Sequence, residues 1–201
     1  SEENNLEEIK KFWPKDAPNV NNVPKYVKKY KKDLIVIKYG GNVLIDRNIF
    51  NNFIEDVSIL NKLGLSIIVV HGGGPRIERK LKQENIKTRF INGLRVTDEK
   101  IISIVEDVLI DFNKDIVDSL QKKGAQAVPI TSKINNIINV VPDNRELGFV
   151  GIPNSINIDF LEDVINKKKI PVIAPLGVDR NKNTYNINGD TAASAIAKKL
   201  K

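Results

Sequence analysis

The sequence contains no cysteine, which excludes disulfides, thiolate metal ligands and a thiol nucleophile. Histidine is nearly absent too, because His71 is the only one, and this argues against a histidine-rich zinc site. Methionine is missing even at position 1, so we expect that the chain was processed or cut. The sequence therefore predicts neither a reactive thiol nor a zinc site built from histidines.

Long apolar runs are also missing, since no stretch reaches the roughly 18 consecutive apolar residues of a membrane-spanning helix. The N-terminal region contains acidic side chains and no apolar core of a secretory signal. A composition without cysteine suits a reducing compartment. We therefore expect a cytoplasmic location and no membrane partner.

Acidic residues are outnumbered by basic ones, which gives a formal net charge of +7. Such a charge is typical of a nucleic-acid-binding patch, of a solvated lysine surface, or of a protein that binds small anions. The densest cluster, KYVKKYKK at 25–32, has helical spacing. A single-strand-binding sheet would interleave aromatics with lysines. Because Tyr26 and Tyr30 fall on a predicted helix, we favour the solvated surface and expect no nucleic-acid partner.

Residues 1–33 differ in character from the rest of the chain. They are charged, rich in asparagine and interrupted by prolines. Short helices are predicted over Leu6–Trp13 and Pro24–Tyr30, with Pro24 in a first turn. We therefore divide the chain into an N-terminal arm, 1–33, and a folded lobe, 34–201.

Within the lobe, short apolar runs alternate with amphipathic segments. The runs predict buried strands, and the apolar spacing of three and four predicts helices. Strands are predicted over 34–37, 65–70, 125–130 and 170–176, a hairpin within 133–153, and helices over 49–63, 75–84, 98–123 and 157–166 and from 190 onward. This alternation predicts an α/β fold, a three-layer αβα sandwich with a mainly parallel central sheet.

Two predicted strands end in glycine-rich turns, Lys38-Tyr39-Gly40-Gly41 and His71-Gly72-Gly73-Gly74. The carboxyl ends of parallel strands meet at one edge of a sheet, where ligands bind. Glycines let backbone N–H groups approach an anion, and a following helix adds its positive end. Each turn alone is compatible with an ordinary tight turn, but the pair beside Lys38 favours a phosphate cradle. The common nucleotide fingerprints are absent from the sequence.

Two further segments carry polar residues next to predicted elements. Arg95, in the loop NGLRVT, has the geometry to clamp a carboxylate with two hydrogen bonds, although a surface arginine is as compatible with this position. Asn186 and Asn188 alternate in an extended segment and point the same way. Asp190 follows them and is interpreted either as a helix N-cap or as a ligand-facing carboxylate.

Six segments together resemble the N-acetylglutamate kinases of the amino acid kinase family. They are KYGGN at 38–42, VVHGGGP at 69–75, FINGLRVTD at 90–98, LGFVG at 147–151, PVIAPLG at 171–177 and YNINGDTAA at 185–193. The resemblance implies that ATP phosphorylates the γ-carboxylate of N-acetyl-L-glutamate, the second step of arginine synthesis. It also implies a homo-oligomer, either a dimer or a hexamer joined through the N-terminal arm.

The resemblance also implies roles for individual residues. Lys38 would stabilise the transferring phosphoryl group, and Asp190 would orient the catalytic lysines. Backbone N–H groups would bind phosphate at Gly40, Gly41, Gly73 and Gly74, and the substrate would contact Gly73, Gly74, Arg95 and Asn186. Magnesium would arrive on ATP, held by phosphates and water, so that no metal site of the protein itself is expected.

The family has a long C-terminal region after the segment that matches YNINGDTAA, and this sequence does not include it. That region binds most of the nucleotide and supplies a second catalytic lysine. We therefore expect this chain to hold the substrate half only, and it could be inactive by itself. Two alternatives stay open, a non-catalytic module that binds a ligand or a partner chain, and a kinase for a related acidic amino acid.

Overall fold

The computed structural model describes residues 26–31, 34–40 and 46–200, and only the backbone of 26–31. In these ranges five α-helices occur: α1 (Arg47–Lys62), α2 (Gly74–Gln83), α3 (Glu99–Lys122), α4 (Ile158–Asn166) and α5 (Gly189–Lys199). The strands are β1 (Tyr26–Lys31), β2 (Leu34–Tyr39), β3 (Ser66–His71), β4 (Phe90–Ile91), β5 (Leu94–Arg95), β6 (Ala127–Ile130), β7 (Ile138–Pro142), β8 (Gly151–Ile156), β9 (Ile170–Ile173), β10 (Leu176–Val178) and β11 (Thr184–Asn186). None of the described helices is both long and apolar enough to cross a bilayer.

The central sheet has the strand order β1-β2-β3-β9-β6, and all of its neighbouring pairs except β1–β2 are parallel. In the β2–β3 register Lys38 lies opposite Val70, and Tyr39 lies opposite His71. Both strands therefore end at the same level, and the two glycine turns that follow them leave the same edge of the sheet.

Side chains of the central strands alternate between two apolar layers, as expected for a sheet covered on both faces. On one face, Ile35, Ile37 and Val69 pack with Phe53 of α1 and Phe112 of α3. On the other face, Val36, Ile68 and Val70 pack with residues of α4 and α5, among them Leu161 and Ile196. The predicted αβα sandwich with its mainly parallel sheet is confirmed.

The helix ends follow the sequence signals closely. Asp98 caps α3 by accepting a hydrogen bond from the Ile101 N–H at 2.8 Å. Gly64 and Gly124 follow the C-caps of α1 and α3 with φ of +94° and +87°, a backbone region that favours glycine. The predicted start of α3 and the predicted ends of α1 and α3 are therefore confirmed, whereas α1 begins at Arg47, two residues before the predicted start.

A second sheet, with the order β11-β10-β7-β8, lies at the carboxyl edge of the central one and contains the predicted hairpin as β7 and β8. The loop between β7 and β8 is held by Thr97. The Thr97 carbonyl accepts from the Phe149 N–H, and the Thr97 N–H donates to the Leu147 carbonyl, both at 2.8 Å. Gly148 lies between these bonds with φ +69°, and a Cβ there would lie 2.2 Å from the Thr97 oxygen. The hairpin is thus anchored two residues after Arg95.

The predicted helix over Pro24–Tyr30 is wrong, because residues 26–31 form strand β1 antiparallel to β2. Tyrosine and valine favour strands, and lysine suits a sheet edge. The open edge of β2 supplies hydrogen-bond partners that local spacing does not reveal. The predicted helix over Leu6–Trp13 lies outside the described residues, and the division into an arm and a lobe stays a prediction.

The single strand predicted over 170–176 is also wrong, because the structure divides it between the two sheets. β9 ends at Ile173 in the central sheet, and β10 begins at Leu176 in the second. Pro175 separates them and has no N–H to continue a ladder. The carbonyl of Pro175 instead accepts from the Ile187 N–H at 2.9 Å, which ties the crossing point to the segment before α5.

Candidate functional site

One cleft collects most of the residues that the sequence singles out. It has a volume of roughly 240 Å³ and lies at the carboxyl edge of the central sheet. Among its lining residues are Lys38, Gly40, Gly72, Gly73, Gly74, Arg95, Asn186 and Asn188. Gly41 lies outside the described residues. A larger depression of roughly 670 Å³ between β8 and α5 includes Asp190 but not the glycine turns or Arg95, so we assign the site to the smaller cleft.

The two glycine turns contact each other across β2 and β3. The Gly72 N–H donates to the Tyr39 carbonyl at 2.8 Å, and a Cβ on Gly72 would lie 3.8 Å from the Gly40 Cα. Gly73 packs against helix α3 so closely that a Cβ would lie 2.6 Å from Leu109 Cδ2. Helix α2 begins at Gly74, so its positive N-terminal end lies beside the cleft. The turns therefore have the geometry of an anion cradle.

Lys38 reaches the cleft from the end of β2 and forms an ion pair with Asp190, where its Nζ donates to Oδ1. The lysine side chain is only 18% exposed, and the carboxylate is 67% exposed. Glycines lie on both sides of the lysine stem, because a Cβ at Gly189 or Gly40 would be 3.4 or 3.8 Å from Lys38 Cε. The ion pair therefore connects the first strand of the lobe with its last helix.

The interpretation of Asp190 as the N-cap of the last helix is wrong. Asn188 caps α5, since its side-chain oxygen accepts from the Thr191 N–H at 3.1 Å. Asparagine and aspartate are about equally good caps, and Asn188 directly precedes the first helical residue, Gly189. With the cap supplied by Asn188, the Asp190 carboxylate is directed to Lys38.

Arg95 lines the same cleft and is buried, with a side chain only 7% exposed. Its Nη1 donates to Glu78 Oε1 at 2.5 Å and to Thr88 Oγ1 at 3.1 Å, and its guanidinium stacks over the Phe90 ring at 4.8 Å. Both hydrogen bonds use Nη1, and a guanidinium has further donors at Nε and Nη2. The sequence identified Arg95 but missed Glu78, which lies in an ordinary amphipathic helix without a distinguishing motif.

Asn186 ends β11 beside Arg95 and the glycine turns. Its N–H donates to the Phe149 carbonyl at 2.9 Å, so the second sheet fixes its backbone. Asn188 lines the same cleft two residues later. Both asparagines therefore line one cleft, and their contact with a ligand stays a prediction.

His71 forms a fully buried polar network that the sequence did not reveal. Its Nδ1 lies 3.0 Å from the Gly72 carbonyl, and its Nε2 lies 3.0 Å from Asn113 Nδ2. A carbonyl only accepts, so Nδ1 carries the proton and Nε2 accepts from the Asn113 amide. Asn113 also donates to the Val172 carbonyl at 2.9 Å. Burial lowers the pKa of His71 to about 4, the nearby Arg76 charge lowers it too, and the Gly72 bond opposes both.

The depressed pKa of His71 predicts that the fold weakens in mild acid. The unfolded chain binds a proton near pH 6.5 and the folded chain only near 4, so stability is complete above 6.5 and is lost as the pH falls toward 4. Between pH 7.5 and 5.5 we expect the free energy of unfolding to fall by about 1 kcal/mol. Urea unfolding at both pH values measures this, with the His71→Asn chain as the control that lacks the difference. Equal wild-type stabilities would contradict the prediction.

Carboxylates and histidine do not assemble into a metal centre anywhere in the part of the chain that is described, where no three of them cluster. The Asp190 carboxylate is already paired with Lys38, which lines the cleft. The donors around the turns are an ammonium group and backbone N–H groups. Such a set fits phosphate oxygens, and magnesium would be held chiefly by those oxygens and water.

Comparison with known proteins places these features in a family context. Residues 33–201 match the model of the amino acid kinase family. The chain is 56% identical to the acetylglutamate kinase of Pelagibacter ubique (strain HTCC1062), over 97% of this chain and 68% of that protein. It is 40% identical to the acetylglutamate kinase of Ruegeria pomeroyi, over 96% of this chain and 68% of that protein. A crystal structure of a Streptococcus mutans UA159 protein superposes with a TM-score of 0.76 at 29% identity, over 85% of this chain and 69% of that one.

Proposed function

Since the chain belongs to the amino acid kinase family and, within it, to the acetylglutamate kinases, we propose that it binds N-acetyl-L-glutamate and serves its phosphorylation by ATP. The product would be N-acetyl-L-glutamyl 5-phosphate, an intermediate of arginine synthesis. The observation that carries the proposal is one cleft lined by Lys38, Gly40 and the triglycine turn together with Arg95 and Asn186. The lysine and the glycine N–H groups suit a phosphoryl group, and the arginine and the asparagine suit a carboxylate.

The proposed reaction is an in-line transfer. An oxygen of the substrate γ-carboxylate forms the new bond to the γ-phosphorus, the bond from that phosphorus to the β–γ bridging oxygen breaks, and ADP leaves. Such transfers need little covalent chemistry from the protein and depend on positioning and charge neutralisation. The absence of cysteine is therefore no obstacle.

Each site residue has a proposed role in this transfer. Lys38 neutralises charge on the transferring phosphoryl group, and Asp190 holds the lysine ammonium in position. Gly40, Gly41, Gly73 and Gly74 donate backbone N–H groups to phosphate oxygens. Arg95 and Asn186 bind the α-carboxylate side of the substrate, which Gly73 and Gly74 also contact.

The assembly and location of the protein also remain proposals. We propose a homo-oligomer, either a dimer or a hexamer joined through residues 1–33, in the cytoplasm. Comparing the mass in solution of the chain with and without residues 1–30 tests whether the arm joins the subunits. An unchanged oligomer would remove the arm from the proposal.

Calorimetry with N-acetyl-L-glutamate, beside trapping of the acyl phosphate as a hydroxamate in the presence of MgATP, tests the function. We expect binding of N-acetyl-L-glutamate that is at least tenfold tighter than binding of L-glutamate or L-aspartate. Tighter binding of one of these amino acids would favour a kinase for a related substrate. Binding without acyl phosphate would favour a ligand-binding module, and a folded chain that binds none of them would overturn the proposal.

A further inference from the structure

We propose that His71 and Asn113 position the triglycine turn for phosphoryl transfer by fixing the orientation of one peptide group, the one between Gly72 and Gly73. This inference rests on the proposed function, since it gives the turn a phosphate to bind. It adds two positioning residues that do not themselves contact the reacting atoms.

The geometry of the peptide group carries the first step. In a trans peptide the carbonyl and the N–H point in opposite directions within one plane. The Gly72 carbonyl accepts from His71 Nδ1 at 3.0 Å, and His71 is fully buried. The carbonyl therefore points into the protein, and the Gly73 N–H on the same plane points away from it. Because Gly72 and Gly73 line the cleft, we infer that this N–H points toward it.

Glycine on both sides makes this orientation easy to lose. Residues without a Cβ adopt many backbone angles at little cost, so rotation of the Gly72–Gly73 peptide meets little steric resistance. A rotated peptide would place the negative end of its dipole in the cleft, where the phosphoryl group carries negative charge. The donor on His71 favours the orientation that presents an N–H there.

Asn113 fixes which histidine nitrogen carries the proton. Its Nδ2 lies 3.0 Å from His71 Nε2 and 2.9 Å from the Val172 carbonyl, so both amide hydrogens are directed to acceptors. A proton on Nε2 would face an N–H donor, and the neutral ring therefore holds its proton on Nδ1. Leu109, one helical turn before Asn113 on α3, packs against Gly73. Helix α3 thus fixes both the tautomer of His71 and the position of Gly73.

The single histidine makes a direct test possible. In the chain labelled with 15N-histidine, all imidazole signals belong to His71. We expect the Nδ1–H tautomer and no titration between pH 8 and 5.5. An Nε2–H tautomer, or titration near pH 6.5, would overturn the proposal whether or not the chain is active.

Two variants test the consequence for transfer. In His71→Asn the side-chain amide places a donor where Nδ1 was, whereas His71→Leu has a similar size and no donor. We expect His71→Leu to lower kcat about a hundredfold with the KM for N-acetyl-L-glutamate nearly unchanged, and His71→Asn to restore kcat to within about tenfold. A folded His71→Leu with kcat within threefold of wild type would overturn the positioning role and leave the proposed function intact.

A binding measurement covers the case in which turnover is too slow to follow. The Gly73 amide resonance of a 15N-glycine chain should shift on addition of MgATP in the wild type and His71→Asn, and hardly in His71→Leu. Equal shifts in all three chains would contradict the proposal. If MgATP shifts no glycine amide in the wild type, the proposed function fails while the histidine tautomer still gives its own result.

Discussion

Replacing Lys38 by Met is expected to lower kcat for acyl phosphate formation by a hundredfold or more. The ammonium group lies at the end of β2, beside the glycine turns and α5, and it would neutralise charge that develops on the phosphoryl oxygens. Removing a single group of this kind typically costs about 10²–10³ in rate. Methionine retains the apolar stem, so the fold should survive. Hydroxamate trapping under saturating MgATP measures the effect.

Two controls separate charge from position in this experiment. Lys114→Met removes a lysine from the exposed surface of α3, where its partner is Asp118, and should leave kcat unchanged. Asp190→Asn keeps the shape of the residue but removes the charge that holds Lys38. We expect its kcat to fall by about tenfold, less than that of Lys38→Met. A Lys38→Met enzyme with more than a tenth of wild-type kcat would remove the lysine from the mechanism.

Local sequence patterns were sufficient to predict most of the αβα sandwich. The apolar runs at Leu34 and Leu65 and the glycines at 64 and 124 correspond to strands and helix ends in the structure. A strand that is buried on both faces requires a continuous apolar run, and a helix end that needs a positive φ favours glycine. Both features can therefore be recognised in the sequence. The errors fell where pairing between strands decides, which the residues of a single strand do not specify. β1 exists because β2 has an open edge, and the chain leaves the central sheet at Pro175.

The reassignment of β1 also removes one argument used against nucleic-acid binding. Tyr26 and Tyr30 lie on an edge strand and not on a helix, so their placement no longer speaks against that function. The absence of a nucleic-acid partner therefore stays a prediction, which the match to the amino acid kinase family favours. The positive charge is compatible with a protein whose ligands are anions.

The candidate site was predictable where strand ends determine it. Lys38, Gly40, Gly73 and Gly74 line one cleft because the parallel strands β2 and β3 place their carboxyl ends together. Arg95 and Asn186 reach the same cleft from the ends of β5 and β11, which lie outside the central sheet. Their roles in catalysis and binding stay predictions. The residues that were missed act on other side chains: Glu78 holds Arg95, and Asn113 orients His71. Such contacts join positions far apart in sequence, and no spacing rule encodes them.

Replacing Arg95 by Gln is expected to weaken binding of N-acetyl-L-glutamate by ten- to a hundredfold. Hydrogen bonds to a charged group contribute about 1.5–3 kcal/mol, and each 1.4 kcal/mol is tenfold in affinity. The buried guanidinium is rigidly oriented by Glu78, Thr88 and the Phe90 ring, so little ordering remains for the substrate to impose. Calorimetry with N-acetyl-L-glutamate measures the loss, and circular dichroism checks that the fold is intact.

Glu78→Gln is the matched control, because it removes the internal partner and keeps the guanidinium. The Glu78 side chain is 41% exposed, and partly exposed ion pairs contribute at most about 1 kcal/mol. We therefore expect this variant to change substrate affinity by less than about fivefold. A large loss in Arg95→Gln alone would assign the effect to contact with the substrate. Equal losses in both variants would mean that the ion pair between α2 and β5 maintains the shape of the cleft, and that Arg95 acts through it.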